Sequence, residues 1–123
     1  MSKGELALFT ADDNRAFKPG ETLALTALWA LPTKPASLEV RLFWYTRGKG
    51  TEDVGLIASE QIHVTATAGE SSVRFTLPVA PYSFSGKLIS LSWAAELVAE
   101  PGSRATRLEF TLSPTGAEIL LGK

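Results

Sequence analysis

Few residues of this chain have the types and spacing that catalysis requires. The single histidine, His63, is the candidate general base or metal ligand, and it lies among the polar residues Gln61, Thr65 and Thr67 of an alternating segment. No GxSxG motif marks a serine nucleophile, and the absence of cysteine excludes a thiolate nucleophile and a disulfide. We therefore expect His63 to face solvent from a strand, and we predict no enzymatic activity, no catalytic residue and no cofactor.

Three loops contain groups that could hold an ion. Residues 12–14 and the pair Glu52-Asp53 offer oxygen ligands that suit calcium, but neither forms a D-x-D-x-D-G series, so we expect solvated turns and no metal site. Residues 47–51 contain the Gly-Lys pair of a phosphate-binding loop. The Walker pattern requires a serine or threonine directly after the lysine, where this chain has Gly50, and position 43, where its first glycine would lie, is Phe43. We interpret this segment as a hairpin tip.

The charge pattern excludes two classes of partner. The chain has 12 basic and 13 acidic residues, scattered without a long run of one sign, whereas nucleic-acid binding normally requires a basic face. The longest charge-free apolar stretches, such as residues 22–33, are far shorter than the roughly 20 residues that a membrane-spanning helix needs. The start, MSKGELALF, has no apolar core of a secretory signal before Glu5. We predict a soluble, cytoplasmic protein that binds no nucleic acid and does not span a membrane.

The clearest structural signal is an alternation of apolar residues over positions 88–98. Every second side chain of a strand lies on one face, so this stretch predicts an apolar stripe of Ile89, Leu91, Trp93, Ala95 and Leu97. Residues 93–100 also have a helix-forming composition, but the unbroken alternation favours a strand. Similar patterns predict strands at residues 5–9, 22–31, 38–45, 54–67, 73–77 and 106–112, and either an edge strand or a loose tail at 117–121.

This series of short strands predicts an all-β fold, a two-sheet antiparallel β-sandwich formed by a single domain at residues 1–123. Pro19-Gly20 suits the centre of a type II turn, and residues 68–70 are expected to form another turn. Three tryptophans should dominate the core: Trp29, Trp44 and Trp93. Three residues of the 54–67 segment should also face inward: Ile62, Val64 and Ala66.

Four aromatic residues are not explained by the inward stripes: Phe43, Tyr45, Tyr82 and Phe84. One interpretation is a secondary cluster beneath the proline-bounded connection at residues 78–87. The other is an exposed aromatic patch that binds a partner, because aromatic residues are enriched at interaction hot spots. These four residues are the candidate binding site.

Two stretches show a resemblance to a known family. Residues 17–21, FKPGE, lead into an apolar strand, and residues 77–86, LPVAPYSFSG, precede a long strand with an aromatic residue. Both are similar to segments of arrestin-like domains, within the broader class of immunoglobulin-like sandwiches. The resemblance implies a non-catalytic β-sandwich that serves as a protein-interaction adaptor, in trafficking or in bacterial sporulation control. The chain lacks the length for the family's usual pair of domains and the paired lysines with which receptor-binding arrestins sense phosphate.

The predicted function is therefore that of a non-enzymatic protein-interaction or scaffold domain. Its partner would be another protein, contacted through loops, the aromatic patch or a sheet edge. A homodimer through an edge strand such as residues 117–121 is a second form of this hypothesis. The alternative is a carbohydrate-binding module, which requires coplanar exposed rings for stacking on sugars.

Overall fold

The fold is described from a computed structural model, in which residues 4–48, 52–86, 89–102, 104–115 and 119–120 are described. Ten strands and one turn of 3-10 helix, Ala11–Asp13, account for most of these residues. The strands are β1 Glu5–Thr10, β2 Ala16–Phe17, β3 Thr22–Ala30, β4 Ser37–Gly48, β5 Val54–Ile62, β6 Ala68–Thr76, β7 Phe84–Ser85, β8 Ile89–Glu100, β9 Arg104–Leu112 and β10 Ile119–Leu120. The strand predicted at residues 88–98 is confirmed as β8.

The strands form two sheets that pack together as a β-sandwich, as predicted. The smaller sheet has the order β1-β3-β6, and the larger has the order β10-β7-β8-β4-β5, with β9 also beside β8 and β2 beside β9. The long pairings are antiparallel, whereas β2 with β9 and β10 with β7 pair in parallel over two residues each. The predicted two-sheet antiparallel β-sandwich is therefore confirmed, with two short parallel pairings in addition.

The centre of the larger sheet is the antiparallel pair β4 and β8, matched over twelve positions from Ser37 opposite Glu100 to Gly48 opposite Ile89. Residues that are opposite each other in a ladder lie on the same face of the sheet. The inward residues of β4 and β8 therefore form one apolar surface, which packs against the smaller sheet. Trp93 is 0% exposed at this centre. Its indole N–H donates a hydrogen bond to the carbonyl oxygen of Pro81 at 2.8 Å, so its polar group is satisfied in the core.

The other two tryptophans lie against glycines of edge strands. Trp29 is opposite Gly69 of β6, and Trp44 is opposite Gly55 of β5. In both cases the space where a glycine side chain would begin is filled by the indole ring of the neighbouring tryptophan. An aromatic ring that covers a glycine of the adjacent strand restores the packing that the missing side chain would supply. Trp44 is half-buried and packs against the core, as its predicted role requires.

Three predictions for the segment at the end of β5 and the start of β6 are wrong. Strand β5 ends at Ile62 rather than continuing to residue 67, since residues 63–67 carry the chain from the larger sheet to the smaller one. Ala66, in this connection, is exposed rather than inward-facing, and Val64 is half-buried. Residues 68–70 are not a turn but the start of β6, paired with the end of β3.

Other local predictions are confirmed. Gly20 has φ +84°, as a type II turn requires, and the amide of Glu21 donates to the carbonyl oxygen of Lys18. The segment between β4 and β5 joins two antiparallel strands, closed by Thr46 and Asp53, although residues 49–51 at its tip lie outside the described residues. Of the predicted edge strand at 117–121, Ile119 and Leu120 pair with β7, and the rest lies outside the described residues.

The contact between Trp29 and Gly69 yields a direct test. A Cβ on residue 69 would lie 2.6 Å from Cζ2 of Trp29, too close for two carbon atoms. We expect Gly69→Ala to displace the indole ring and to lower the free energy of unfolding by about 1–3 kcal/mol. Urea denaturation would measure the loss. The matched control is Ser71→Ala, two residues along the same strand, which should change stability by less than about 0.5 kcal/mol; equal effects would contradict the contact.

Candidate functional site

The candidate site lies on the solvent side of the larger sheet, where β5, β4, β8 and β9 run side by side. On this side Tyr45 is opposite Val54, and Phe43 is opposite Leu56. On the other side of β4, Phe43 is opposite Ala94 of β8, which is in turn opposite Glu109 of β9. We call this surface the Tyr45 face, and it consists of Phe43, Tyr45, Val54, Leu56, Arg107 and Glu109.

Arg107 covers the two aromatic rings of the Tyr45 face. Its guanidinium carbon lies 5.0 Å from the ring centroid of Phe43 and 5.1 Å from that of Tyr45. The two rings have centroids 6.1 Å apart and planes inclined by 38°. This geometry is that of a cation–π contact shared between two rings. Phe43 is only 6% exposed although it points away from the core, so its neighbours on this face shield it from water.

Ionic contacts fix the side chains around these rings. Arg107 pairs with Glu96 at 3.5 Å, and the hydroxyl of Tyr45 donates a hydrogen bond to Glu109. Arg47 donates to the same hydroxyl at 3.3 Å, and its guanidinium carbon lies 5.5 Å from the Tyr45 ring centroid. Each exposed ion pair contributes little stability in water, about 0–1 kcal/mol. Their effect here is to hold Tyr45 and Arg107 in one arrangement.

Two shallow depressions flank the covered rings. One has a volume of about 410 Å³ and is lined by Tyr45, Arg47, Glu52 and Glu109 among others. The other, of about 370 Å³, lies on the side of Leu56 and Glu96. Phe43, Val54 and Arg107 line both, so they form the ridge between the two depressions.

The apolar part of the Tyr45 face lies on the edge strand β5. Val54 is 67% exposed and Leu56 is 62% exposed, in contrast to the buried leucines and valines of the core. Ile57, also exposed, is an extra residue in β5, because Leu56 is opposite Phe43 while Ala58 is opposite Leu42. Such a β-bulge presents consecutive apolar side chains to solvent at the sheet edge.

The four predicted aromatic residues occupy different surroundings. Phe43 and Tyr45 lie together on the Tyr45 face. Phe84 is opposite the buried residue Leu91 and packs against the core, so it lies on the other side of the same sheet. Tyr82 is half-buried in the connection before β7. The structure therefore brings together two of the four.

Sequence reasoning missed Val54, Leu56 and Arg107 as members of the site. The alternation of β9 already indicated that Arg107 and Glu109 face outward, but only the strand order shows that this outward side adjoins that of β4. Val54 and Leu56 alternate with Gly55, which was a usable signal for one exposed apolar face. Their contact with the aromatic pair depends on the register of β5 against β4.

The remaining sequence candidates have surroundings typical of surface polar residues. His63 is exposed, in agreement with its predicted orientation. Asp13 pairs with Arg15 at 3.2 Å, and the backbone amide of Asp53 donates to the hydroxyl of Thr46 at 2.9 Å. Within the described ranges, no three histidine, aspartate or glutamate side chains gather as metal ligands would. The part of the chain that the structure describes also contains no helix long and apolar enough to cross a membrane.

The two-sheet architecture is that of a β-sandwich. The fold is similar to the crystal structure of Spo0M, a sporulation control protein from Bacillus subtilis, with a TM-score of 0.63 and 14% sequence identity. The match covers 92% of this chain and 50% of that one, so the chain spans about half the length of Spo0M.

A more distant likeness is to a β-glucosidase from Listeria innocua in complex with gluconolactone. That match has a TM-score of 0.46 and 14% identity, and covers 98% of this chain but 17% of the enzyme. Likeness at this level carries no argument about function. No protein-family model matches the sequence, and the search of curated proteins gives no match.

The contribution of Arg107 to stability, through its contact with the rings of Phe43 and Tyr45, can be tested by substitution. Arg107→Ala deletes the guanidinium and the alkyl stem above Phe43 and Tyr45, and we expect it to lower the free energy of unfolding by about 1 kcal/mol. The matched control is Arg41→Ala, on the same side of the sheet, where the ion pair is with Glu39 and no ring contact is recorded. Chemical denaturation of both variants should show the larger loss for Arg107. A loss at Arg41 equal to or greater than that at Arg107 would contradict the stacked arrangement.

Proposed function

We propose that this chain is a non-catalytic, protein-binding β-sandwich and that the Tyr45 face is its contact surface. The observation that carries the proposal is the exposure of Val54 and Leu56 beside the ordered pair of Tyr45 and Arg107. Tyrosine and arginine are enriched at interaction hot spots, and exposed apolar side chains beside them form the kind of patch that marks a contact surface. The partner would be a protein that places apolar side chains over β5 and polar groups over the charged rim.

The side chains of the Tyr45 face are already fixed in position, which favours binding. Association costs free energy when long side chains must be immobilised, roughly 0.5–1.5 kcal/mol for each. The side chains of Tyr45 and Arg107 are already held by Glu109 and Glu96, so a partner would meet a surface whose largest groups are in place. The rim also has both signs of charge, with Arg41, Arg47 and Arg107 alternating with glutamates, which favours a partner of mixed charge over a strongly acidic or basic one.

The absence of catalysis is part of the proposal and rests on the described residues. Among the described residues, the exposed His63 has no recorded hydrogen bond to an acid or hydroxyl, and the two depressions of the Tyr45 face are open to solvent. We also propose that residues 1–123 form one domain, since the two sheets share a single buried core. The cytoplasmic location remains a prediction from the sequence.

The geometry of the aromatic pair does not favour the carbohydrate-binding alternative. Stacking on a sugar requires rings that are exposed and coplanar, whereas Phe43 and Tyr45 are inclined by 38° and Arg107 occupies the space over them. A glycan array is the direct check on this alternative, and we expect no bound glycan.

Site-specific photo-crosslinking tests the protein-binding proposal. A photoreactive phenylalanine at position 56 would lie within the Tyr45 face, and the same group at position 9 would replace Phe9, exposed on the smaller sheet. In a lysate of the source organism, we expect one discrete protein adduct from position 56 and none of that mass from position 9. Tyr45→Ser should reduce the yield from position 56 several-fold, because it removes the central ring.

The outcome that contradicts the proposal is equally specific. Adducts of the same mass and yield from both positions, or a yield from position 56 unaffected by Tyr45→Ser, would show that the Tyr45 face is not the contact surface. Circular dichroism of each variant confirms that the fold is retained, which is expected because Tyr45 and Leu56 are not part of the buried core. Phe84→Ser is unsuitable for this purpose, since Phe84 packs against that core.

A further inference from the structure

Strand β6 is a regular edge of the smaller sheet. It pairs with β3 over nine consecutive positions without a bulge, and no other described strand pairs with it. Its sequence, AGESSVRFT, contains no proline. Sheet edges are usually protected from pairing by a bulge, a proline, an inward-pointing charge or charged side chains along the strand. The edge strand β5 has such a bulge at Ile57, whereas β6 has no bulge, proline or inward-pointing charge, and its only charges are the exposed Glu70 and Arg74.

Two opposite charges are placed symmetrically along this edge. Glu70 and Arg74 are both exposed on the outer side of β6, and Ser72 lies midway between them on the same side. Their neighbours across the ladder in β3 are the uncharged residues Leu28 and Ala24. Within the described residues neither charge has a recorded ion-pair partner, so both are available to a strand that pairs with the free edge.

We propose that β6 pairs in antiparallel fashion with β6 of a second copy of this chain, about a twofold axis through Ser72. Positions 70 and 74 are equally distant from position 72, so this register places Glu70 of each copy opposite Arg74 of the other. Opposite charges that face each other across an antiparallel pair are stabilising, and like charges are destabilising. The charge pattern of β6 is thus complementary to itself.

Other registers lose this complementarity. Moving the axis to Ser71 places Glu70 opposite Ser72, and moving it to Val73 places Glu70 opposite Thr76. A parallel pairing in register would set Glu70 against Glu70 and Arg74 against Arg74. The charges therefore select one orientation and one register from those that the backbone alone would allow.

The same register also matches the inner side of the strand. Val73 of one copy would be opposite Ser71 of the other, and Phe75 would be opposite Gly69, the glycine that Trp29 covers. An aromatic residue beside this tryptophan–glycine pair extends the apolar interior across the junction. The two small sheets would form one continuous sheet of the order β1-β3-β6-β6-β3-β1, which closes the β6 edge of each copy with roughly one hydrogen bond per paired residue.

The proposed dimer and the proposed partner binding use different surfaces and are tested by different measurements. It uses the edge of the smaller sheet, while the Tyr45 face lies on the larger one, so either can fail without the other. It also differs from the dimer expected at residues 117–121, because Ile119 and Leu120 already pair with β7.

Charge reversal tests the proposal by sedimentation equilibrium over a concentration series. We expect the intact chain to be a dimer whose Kd rises at least about ten-fold in Glu70→Arg and in Arg74→Glu, since each variant replaces two attractive cross-strand pairs with two repulsive ones. The double variant E70R/R74E should restore the dimer. An equimolar mixture of the two single variants should form a heterodimer, because every facing pair is again of opposite charge.

The matched control is Glu5→Arg, an equal change of charge on β1 at the opposite edge of the same sheet, which should leave the Kd unchanged. Thermal denaturation would confirm that all variants are folded. A monomeric intact chain throughout the concentration series would overturn the proposal. A dimer that is insensitive to the single reversals, or one that the double variant fails to restore, would overturn it as well.

Discussion

The structure depends on the antiparallel pairing of β4 with β8. Among the described residues this ladder is the longest, and it fixes which side chains of the larger sheet point inward and which outward. Inward, it assembles Leu42, Trp93 and Leu97 into the core that the smaller sheet covers. Outward, it places Phe43 and Tyr45 on the face to which β9 contributes Arg107. The hydrophobic core and the Tyr45 face are therefore two sides of one set of backbone hydrogen bonds.

The edge strands β5 and β6 share one packing feature and differ in their exposure to partners. Each of them contains a glycine under a tryptophan of the neighbouring inner strand, which adds packing at a position where the edge strand has no side chain. Strand β5 then departs from regular pairing through its bulge at Ile57 and presents apolar side chains outward. Strand β6 stays regular and presents balanced charges. The first suits side-chain contacts with a partner, and the second suits backbone pairing with another strand.

The period-two pattern predicted most of the fold, because alternation is a local property of a strand. It placed β3, β4 and β8 and their buried residues, and it oriented His63 to solvent. It failed where non-local contacts decide the structure, because residues 63–67 alternate like a strand yet connect the two sheets. The four aromatic candidates show the same limit, since Phe84 and Tyr45 belong to one sheet but face opposite sides of it. Arg107 lies in the site because β9 is beside β8 in the sheet, and a local sequence pattern does not reveal this strand order.

Native-state hydrogen exchange of the backbone amides tests this account most directly. If the β4–β8 ladder is the element on which the rest depends, the amides of Leu42, Trp93 and Ala95 should exchange only through global unfolding. Amides near the ends of β5 should then exchange through smaller, local openings. Exchange of the Trp93 and Ala95 amides as fast as that of Leu56 would contradict the account, because the core and the Tyr45 face would then lack their common support.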